Sequence, residues 1–245
     1  PKIDLFQWES AILFNGICRS FSAGIIDLFG GNQRSLWVGI GTYHSAWHLT
    51  HRIRWAMSQP MFKKLRGVVE CDETYIGGKP RKYARDKNGN FIINKRGRGT
   101  KKVPVMALIQ RDGKMVSKVL DQVDAHNLRS AIREHVKKNS IIMTDELPSY
   151  NSINSHYQHK TVNHSKGEYS RNGINCNTNE SYFALLKRGV HGTFHHISKT
   201  HLQRYCNEFS FRWNHRKVTD GQRTAKAIKG AWGKRLSYKP MKKTL

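Results

Sequence analysis

Acidic residues are in short supply. The 245-residue chain has 17 Asp+Glu against 43 Lys+Arg, a formal charge of +26 with a pI near 10.2. A protein so poor in carboxylates is suited to a polyanion, of which nucleic acid is the commonest and an anionic membrane surface the weaker alternative. Long apolar runs are missing too: none approaches the ~18 residues needed to span a bilayer, which excludes an integral helical membrane protein. Cysteine is sparse, at Cys18, Cys71, Cys176 and Cys206. None forms a Cys-x-x-Cys pair, which argues against a zinc ribbon, and four are too few for a disulfide framework, which fits a reducing compartment. There is no charged-then-apolar leader. Because the chain begins at Pro1 rather than Met, a processed or incomplete product is expected, with an N-terminal module outside it. No Gly-x-Gly-x-x-Gly follows a strand and no Gly-Lys-Ser/Thr occurs, so a nucleotide cofactor is not expected. No repeat period is evident. Aromatics, by contrast, reach 10%, with 6 Trp and 9 Tyr, which excludes a disordered basic tail. The length suffices for one full core, or one core and a small accessory domain.

Residues 1–66 read as a helical region. Ala46, Leu49, Ile53 and Ala56 recur at helical spacing over Thr42–Met57, Thr42 can cap that helix, and His44, His48 and Arg52 share its other face. With an upstream helix at Ala23–Phe29 and Gly39 and Gly41 between, this outlines a helix-turn-helix; a small bundle with a solvated basic face is the equal alternative. The character changes at Gly67. Val68–Ile76 has strand composition and ends in Gly77-Gly78. The stretch 79–102 then carries ten Lys/Arg, including Arg81, Lys82, Lys95, Arg96, Arg98, Lys101 and Lys102, against one acid, Asp86. Such a density suits nearby anions.

Beyond it, Lys102–Gln110 and Lys114–Val123 are expected as a hairpin around Asp112-Gly113. Asp124 caps a helix carrying Leu128, Ala131 and Ile132. Ser140–Thr144 reads as a short buried strand, and His159–Asn163 as a further one. Helices are expected over Glu180–Val190, with Tyr182, Leu185 and Leu186 inward, and over Lys199–Arg216. Residues 217–245, with nine Lys/Arg and one acid, read as an irregular basic tail. Three antiparallel-capable strands, a helix and further strands predict a mixed α/β (α+β) domain over 67–216, its mixed sheet flanked by helices.

Because acids are few, those in apolar surroundings are informative. Asp72 lies in one strand, Asp145 ends another, and Glu180 opens a helix on which Lys187 follows two turns later on the same face. Two strand-borne aspartates and a helix-borne glutamate can meet at a sheet edge, where divalent cations would relieve their repulsion. Two Mg²⁺ so held suit an in-line phosphoryl displacement. Each residue also has a plain structural reading: Asp72 as a surface strand residue with Glu73 serving instead, Asp145 as a turn cap, Glu180 as first-turn helix charge.

The sequence also resembles a known family. Asp72-Glu73-Thr74-Tyr75-Ile76-Gly77-Gly78-Lys79, Thr144-Asp145-Glu146, Asn163-His164-Ser165-Lys166-Gly167-Glu168-Tyr169, Asn177-x-x-Glu180, Leu186-Lys187-Arg188-Gly189, His201-Leu202-Gln203-Arg204-Tyr205, Glu208-Phe209 and Arg212-x-Asn214-x-Arg216 follow in order between about residues 35 and 216. The pattern resembles the ISXO-like insertion-sequence DDE transposases, whose eukaryotic relatives are the Merlin elements. The resemblance implies an RNase H-like catalytic domain with Asp72, Asp145 and Glu180 as metal ligands and Lys187 as the associated basic residue. The 34 residues between Asp145 and Glu180 are similar to the spacing in mariner-type transposases. Some members place Asn at the third position, so Asn177 and Glu180 are both candidates, Glu180 preferred because Lys187 shares its face. Members often carry an N-terminal zinc ribbon, which has no counterpart here.

The expected protein is therefore a DNA transposase that cuts element ends by metal-dependent hydrolysis and joins the 3′-hydroxyls to target DNA. Two Mg²⁺ per site are expected, with Mn²⁺ substituting. Double-stranded DNA is the expected partner, through His44, His48, Arg52, the 79–102 cations, Arg188, Arg212 and Arg216. A homodimer or larger assembly is expected because two ends are handled together. The compartment would be cytoplasm or nucleoid in a bacterium and nucleus in a eukaryote. The alternatives are a catalytically silent or domesticated DNA-binding protein, or an RNase H-like nuclease without strand transfer.

Overall fold

A computed structural model describes residues 42–58, 64–78, 85, 87–90, 100, 102–145, 147–153, 157–161 and 177–237. In chain order its elements are α1 (Tyr43–Met57), β1 (Val68–Ile76), β2 (Val103–Gln110), β3 (Met115–Val119), α2 (Ala125–His135), β4 (Ile141–Thr144), a 3₁₀ turn (Pro148–Ile153), β5 (Gln158–Thr161), α3 (Asn177–Arg188), a π-helical turn (Gly189–Phe194), α4 (Lys199–Asn214) and α5 (Asp220–Lys229). They form two compact units, one of residues 61–206 and one of residues 1–60 together with 207–245. The expected helix at Ala23–Phe29 lies outside the described residues, as does most of 79–102.

The 61–206 unit is built on a five-stranded sheet in the order β3-β2-β1-β4-β5. β1, β2 and β3 pair antiparallel, whereas β1–β4 and β4–β5 are parallel. The hairpin forms where Asp112-Gly113 predicts it, with Asp112 taking the left-handed conformation at φ 57°. β3 ends at Val119, earlier than the expected Val123; the Leu120 N–H still donates to the Pro104 carbonyl at 3.0 Å, and Gln203 of α4 accepts the Val119 N–H at 2.8 Å. Strand alternation sorts the core. Val69 and Cys71 of β1 and Met106 and Leu108 of β2 face α2, whose Leu128, Ala131 and Ile132 close over them with Tyr150. Asp124 caps α2 by accepting from Asn127 N at 2.7 Å. The opposite face buries Val105, Ala107, Ile109 and Met115. There the Tyr182 hydroxyl of α3 donates to Ser117 Oγ of β3 at 2.8 Å, and Ser117 Oγ donates to the Cys206 carbonyl of α4 at 3.2 Å. Phe183 is buried alongside Tyr182 and Leu186, whereas the expected inward Leu185 is only half-buried. Cys71 and Cys206 are free and buried, and burial pushes the Cys206 thiol up to about 12, so both behave as small apolar core residues.

In the helical unit, Thr42 caps α1 as expected, accepting from Ser45 N. Ile53 and Met57 of α1 pack with Phe211 of α4 and Ala227 of α5. Over the described residues 217–237 the segment is not the irregular tail expected: Thr219 and Gln222 make a capping box that starts α5, and Thr224 and Ala227 give it a buried face. High charge hid a short amphipathic helix. The Lys234 ammonium then donates to the Trp55, Ala56 and Ser58 carbonyls, closing the C-terminus of α1. Gly230 permits this approach, since a Cβ there would stand 2.5 Å from the Ala56 carbonyl oxygen. Gly230→Ala is expected to destabilise this unit by ~1–3 kcal/mol, read as a lower urea midpoint. Among the described residues the tryptophans (Trp47, Trp55, Trp213, Trp232) all belong to it, so their fluorescence reports this unit.

Candidate active site

The candidate site begins where the parallel pairing of β1 with β4 stops. The last β1–β4 pair is Glu70 with Met143. One further strand period brings the chain to Asp72 on β1 and to Asp145, just past the end of β4. The two aspartates therefore stand level, Asp72 at the middle of β1 and Asp145 just past the carboxyl end of β4. On its other side Asp72 pairs with Ala107, a small buried residue. Asp145 makes a local turn, its Oδ1 accepting from Leu147 N at 3.2 Å.

Alternation also separates Asp72 from Glu73. Glu73 lies with Val69 and Cys71 on the α2 side, and its Oε2 accepts from the buried Tyr150 hydroxyl at 2.8 Å. Burial and the adjacent carboxylate of Glu73 hold that hydroxyl well above the usual phenol range. Asp72 lies with Glu70 and Thr74 on the side covered by α3.

The first turn of α3 carries Glu180, and the same helix carries Lys187 and Arg188; all three are exposed. Glu180 and Lys187 are two turns apart on one face. Asn177 opens the helix. Just below, Glu70 of β1 is fully buried and accepts from Thr178 N at 3.2 Å and Thr178 Oγ1 at 3.1 Å. Glu70, Thr178 and their partner Arg111 have no place in the sequence expectations; Glu70 reads there only as one letter of a strand. His159 of β5, its ring 2.8 Å from Thr144 Oγ1, was also not anticipated; burial lowers its pKa.

The electrostatics tie the three acids together. Asp72 has its pKa raised to about 7, first by burial and then by the charges of Glu73, Asp145 and Glu180, partly offset by the Glu73 N–H donating to its Oδ1 at 2.7 Å. Among the described residues no group of three or more His, Cys, Asp and Glu is assembled for one metal ion. A desolvated carboxylate crowded by like charges, with hard oxygen donors on both sides, fits divalent cations of the Mg²⁺ type.

The residues expected to meet DNA are distributed differently. Lys102 is half-buried in the 61–206 unit; Arg81, Lys82, Lys95, Arg96, Arg98 and Lys101 lie outside the described residues. In the helical unit His44 is exposed, whereas His48 and Arg52 are half-buried. Burial, and then the charge of Arg235, lowers the Arg52 pKa. Arg212 reaches Glu208 at 3.8 Å and lies 5.7 Å from the Phe209 ring centroid. Arg216 is exposed and lies 4.8 Å from the Trp213 ring centroid.

A mixed sheet of order 3-2-1-4-5, antiparallel on one side of β1 and parallel on the other, with helices on both faces, defines an RNase H-like fold. Residues 64–214 match the ISXO2-like transposase domain, and the chain belongs to that family. A Haemophilus influenzae protein described as an uncharacterized transposase-like protein is 30% identical over 106 residues, covering 43% of this chain and 85% of its own length. Among solved structures, a chain of the simian T-cell lymphotropic virus intasome in complex with PP2A regulatory subunit B56 gamma aligns with TM-score 0.37 and 15% identity, covering 86% of this chain and 75% of that one. The Mos1 strand transfer complex gives 0.33 and 14%, covering 78% and 63%. The Drosophila P element transposase strand transfer complex gives 0.32 and 9%, covering 94% and 60%. No helix among the described residues is long and apolar enough to cross a membrane.

Proposed function

We propose that the protein is a DDE-type DNA transposase, cutting the ends of its element and joining the freed 3′-hydroxyls to target DNA at a site made by Asp72, Asp145 and Glu180. The observation that carries the reading is the field at Asp72: in a chain with 17 acids, the charges of Asp145 and Glu180, from two other elements, both bear on one largely desolvated carboxyl. Family membership supports the same chemistry.

In this reading Asp72 would serve both divalent cations, with Asp145 helping to hold one and Glu180 the other. Bound Mg²⁺ or Mn²⁺ would activate a water or 3′-hydroxyl and stabilise the leaving oxygen. The chain's own residues do the rest. The buried floor around Ala107 and Thr74 excludes water from the inner side of Asp72. Glu73, engaged by Tyr150, stays out of the ligand set. Lys187, on the Glu180 face, holds the DNA backbone beside the reacting phosphate.

Arg188, Arg216, Arg212, Arg52, His44, His48 and the 79–102 cations are assigned to phosphates along double-stranded DNA. In this reading residues 1–66 act as the DNA-binding region, 67–216 as the catalytic domain and 217–245 as a basic extension. A dimer or larger assembly would bring two ends together, in nucleoid or nucleus according to host. Removing residues 79–102 is expected to flatten the fall of DNA affinity with salt and to weaken all sequences alike, measured by gel shift across a salt series; an unchanged slope would make the segment a solvated loop.

The test of function is joining. Duplexes carrying the element's ends, supplied intact or already nicked at the 3′ end, are incubated with target plasmid and Mg²⁺. A transposase cuts the first and joins both. Cutting without joining would leave the nuclease alternative, and binding without either would leave the DNA-binding one.

A further inference from the structure

Beneath the candidate site lies a polar cluster. The Glu70 carboxylate is fully buried on β1. Besides its two bonds from Thr178 it accepts from Arg111 Nε and Nη2, both at 3.2 Å. Arg111 sits in the β2–β3 turn, where its backbone N–H donates to the Val68 carbonyl at 3.0 Å and its Nη2 meets Met143 Sδ at 3.5 Å. The positions matter more than the number of contacts. Glu70 is two residues before Asp72 on the same face of β1, Met143 two before Asp145 on β4, and Thr178 two before Glu180 in the first turn of α3. One buried carboxylate and one guanidinium thus join all three acid-bearing segments, each within two residues of its acid. Well-packed apolar residues can fill such a space with equal stability. What fully bonded donors and acceptors add is a fixed register, and a carboxylate against the first turn of a helix also meets the positive end of its dipole.

We infer that Glu70, held by Arg111, is a positioning residue that locks the first turn of α3 to β1 and thereby sets the separation of Glu180 from Asp72. This rests on the reading of those acids as one metal site. Two ions sharing Asp72 tolerate little change in that separation, since a ~1 Å misplacement of reacting groups costs on the order of 100-fold in rate.

The experiment uses the full chain carrying Glu70→Gln, Thr178→Val or Thr178→Ser, beside Asp72→Asn. Hydrogen exchange is followed at the α3 amides Asn179–Tyr182 and, for reference, in β2. Joining of pre-nicked element ends is followed across a Mg²⁺ series, with a gel shift on the same preparations. Losing a hydrogen bond to a charged group should speed exchange in the first turn of α3 about tenfold or more and leave β2 unchanged. The Mg²⁺ needed for half-maximal joining should rise about tenfold in Glu70→Gln and Thr178→Val, with DNA binding intact. Thr178→Ser, which keeps the hydroxyl, should restore both. If Glu70→Gln does not fold, Thr178→Val carries the test, because it leaves Glu70 and Arg111 in place. Unchanged exchange, or faster exchange with an unaltered Mg²⁺ requirement, would overturn the positioning role. Should Asp72→Asn be inactive while Thr178→Val joins like wild type, only the positioning role falls. Should Asp72→Asn join like wild type, the metal-site reading falls and takes the positioning role with it.

Discussion

Asp145→Asn should abolish both cleavage and joining, by ~100-fold or more, and leave DNA binding intact or slightly tighter. Asparagine keeps the size and hydrogen-bonding shape of the side chain but removes one negative charge. Hard divalent cations depend on charged oxygen ligands, so the position at the end of β4 would lose most of its hold on an ion. One pair of cations would serve both displacements, so both activities should fall together. Losing a carboxylate near the DNA phosphates also removes a repulsion. Cleavage and joining of labelled element-end DNA, beside a gel shift, measure all three. Retained wild-type cleavage would contradict the metal assignment. A wild-type protein that bound well and neither cut nor joined would favour the DNA-binding alternative.

Arg54→Met should produce the largest loss of stability, ~3–5 kcal/mol in the helical unit. Arg54 and Glu208 are both buried, with Arg54 Nε 2.9 Å from Glu208 Oε2. Removing the guanidinium strands Glu208 in an apolar setting, with Arg212 at 3.8 Å as a partial substitute. Arg212→Ala should cost less, since that side chain is half-exposed. Replacing both partners, as Arg54→Met with Glu208→Leu, should recover most of the loss, because no charge is then left buried alone. Urea unfolding followed by tryptophan fluorescence decides it; a single variant as stable as wild type would show the pair to be dispensable. Glu208 and Arg212 both lie within the sequence pattern that resembles the family, so part of that pattern maintains the helical unit.

The sequence was most legible where local chemistry alone decides structure. Thr42 and Asp124 are helix caps whose reach is three residues, Asp112-Gly113 closes a hairpin, and Val68–Ile76 forms a strand with the bounds its composition suggests. The candidate acids were legible because carboxylates are rare in this chain, Asp72 standing among apolar strand residues and Asp145 and Glu180 at element ends. Which of Asp72 and Glu73 faces α3 was not, because adjacent strand residues are equivalent until a helix covers one face. α5 escaped notice because ten residues with a narrow buried face are outweighed by surrounding lysines. Glu70, Arg111 and Thr178 were invisible for a different reason: they are 41 and 108 residues apart in sequence, and their partnership exists only once β1, the β2–β3 turn and α3 have come together.

The central claim is that Asp72, Asp145 and Glu180 hold the ions that cut and join DNA, and iron-directed cleavage of the protein backbone tests it most directly. Fe²⁺ substituted for Mg²⁺, with ascorbate and peroxide, cuts the chain beside the ions it replaces. The account predicts cuts clustered around Asp72 in the middle of β1, just past β4 and in the first turn of α3, suppressed by excess Mg²⁺ and lost in Asp72→Asn. Cuts elsewhere in the chain, or an unchanged pattern in Asp72→Asn, would contradict it.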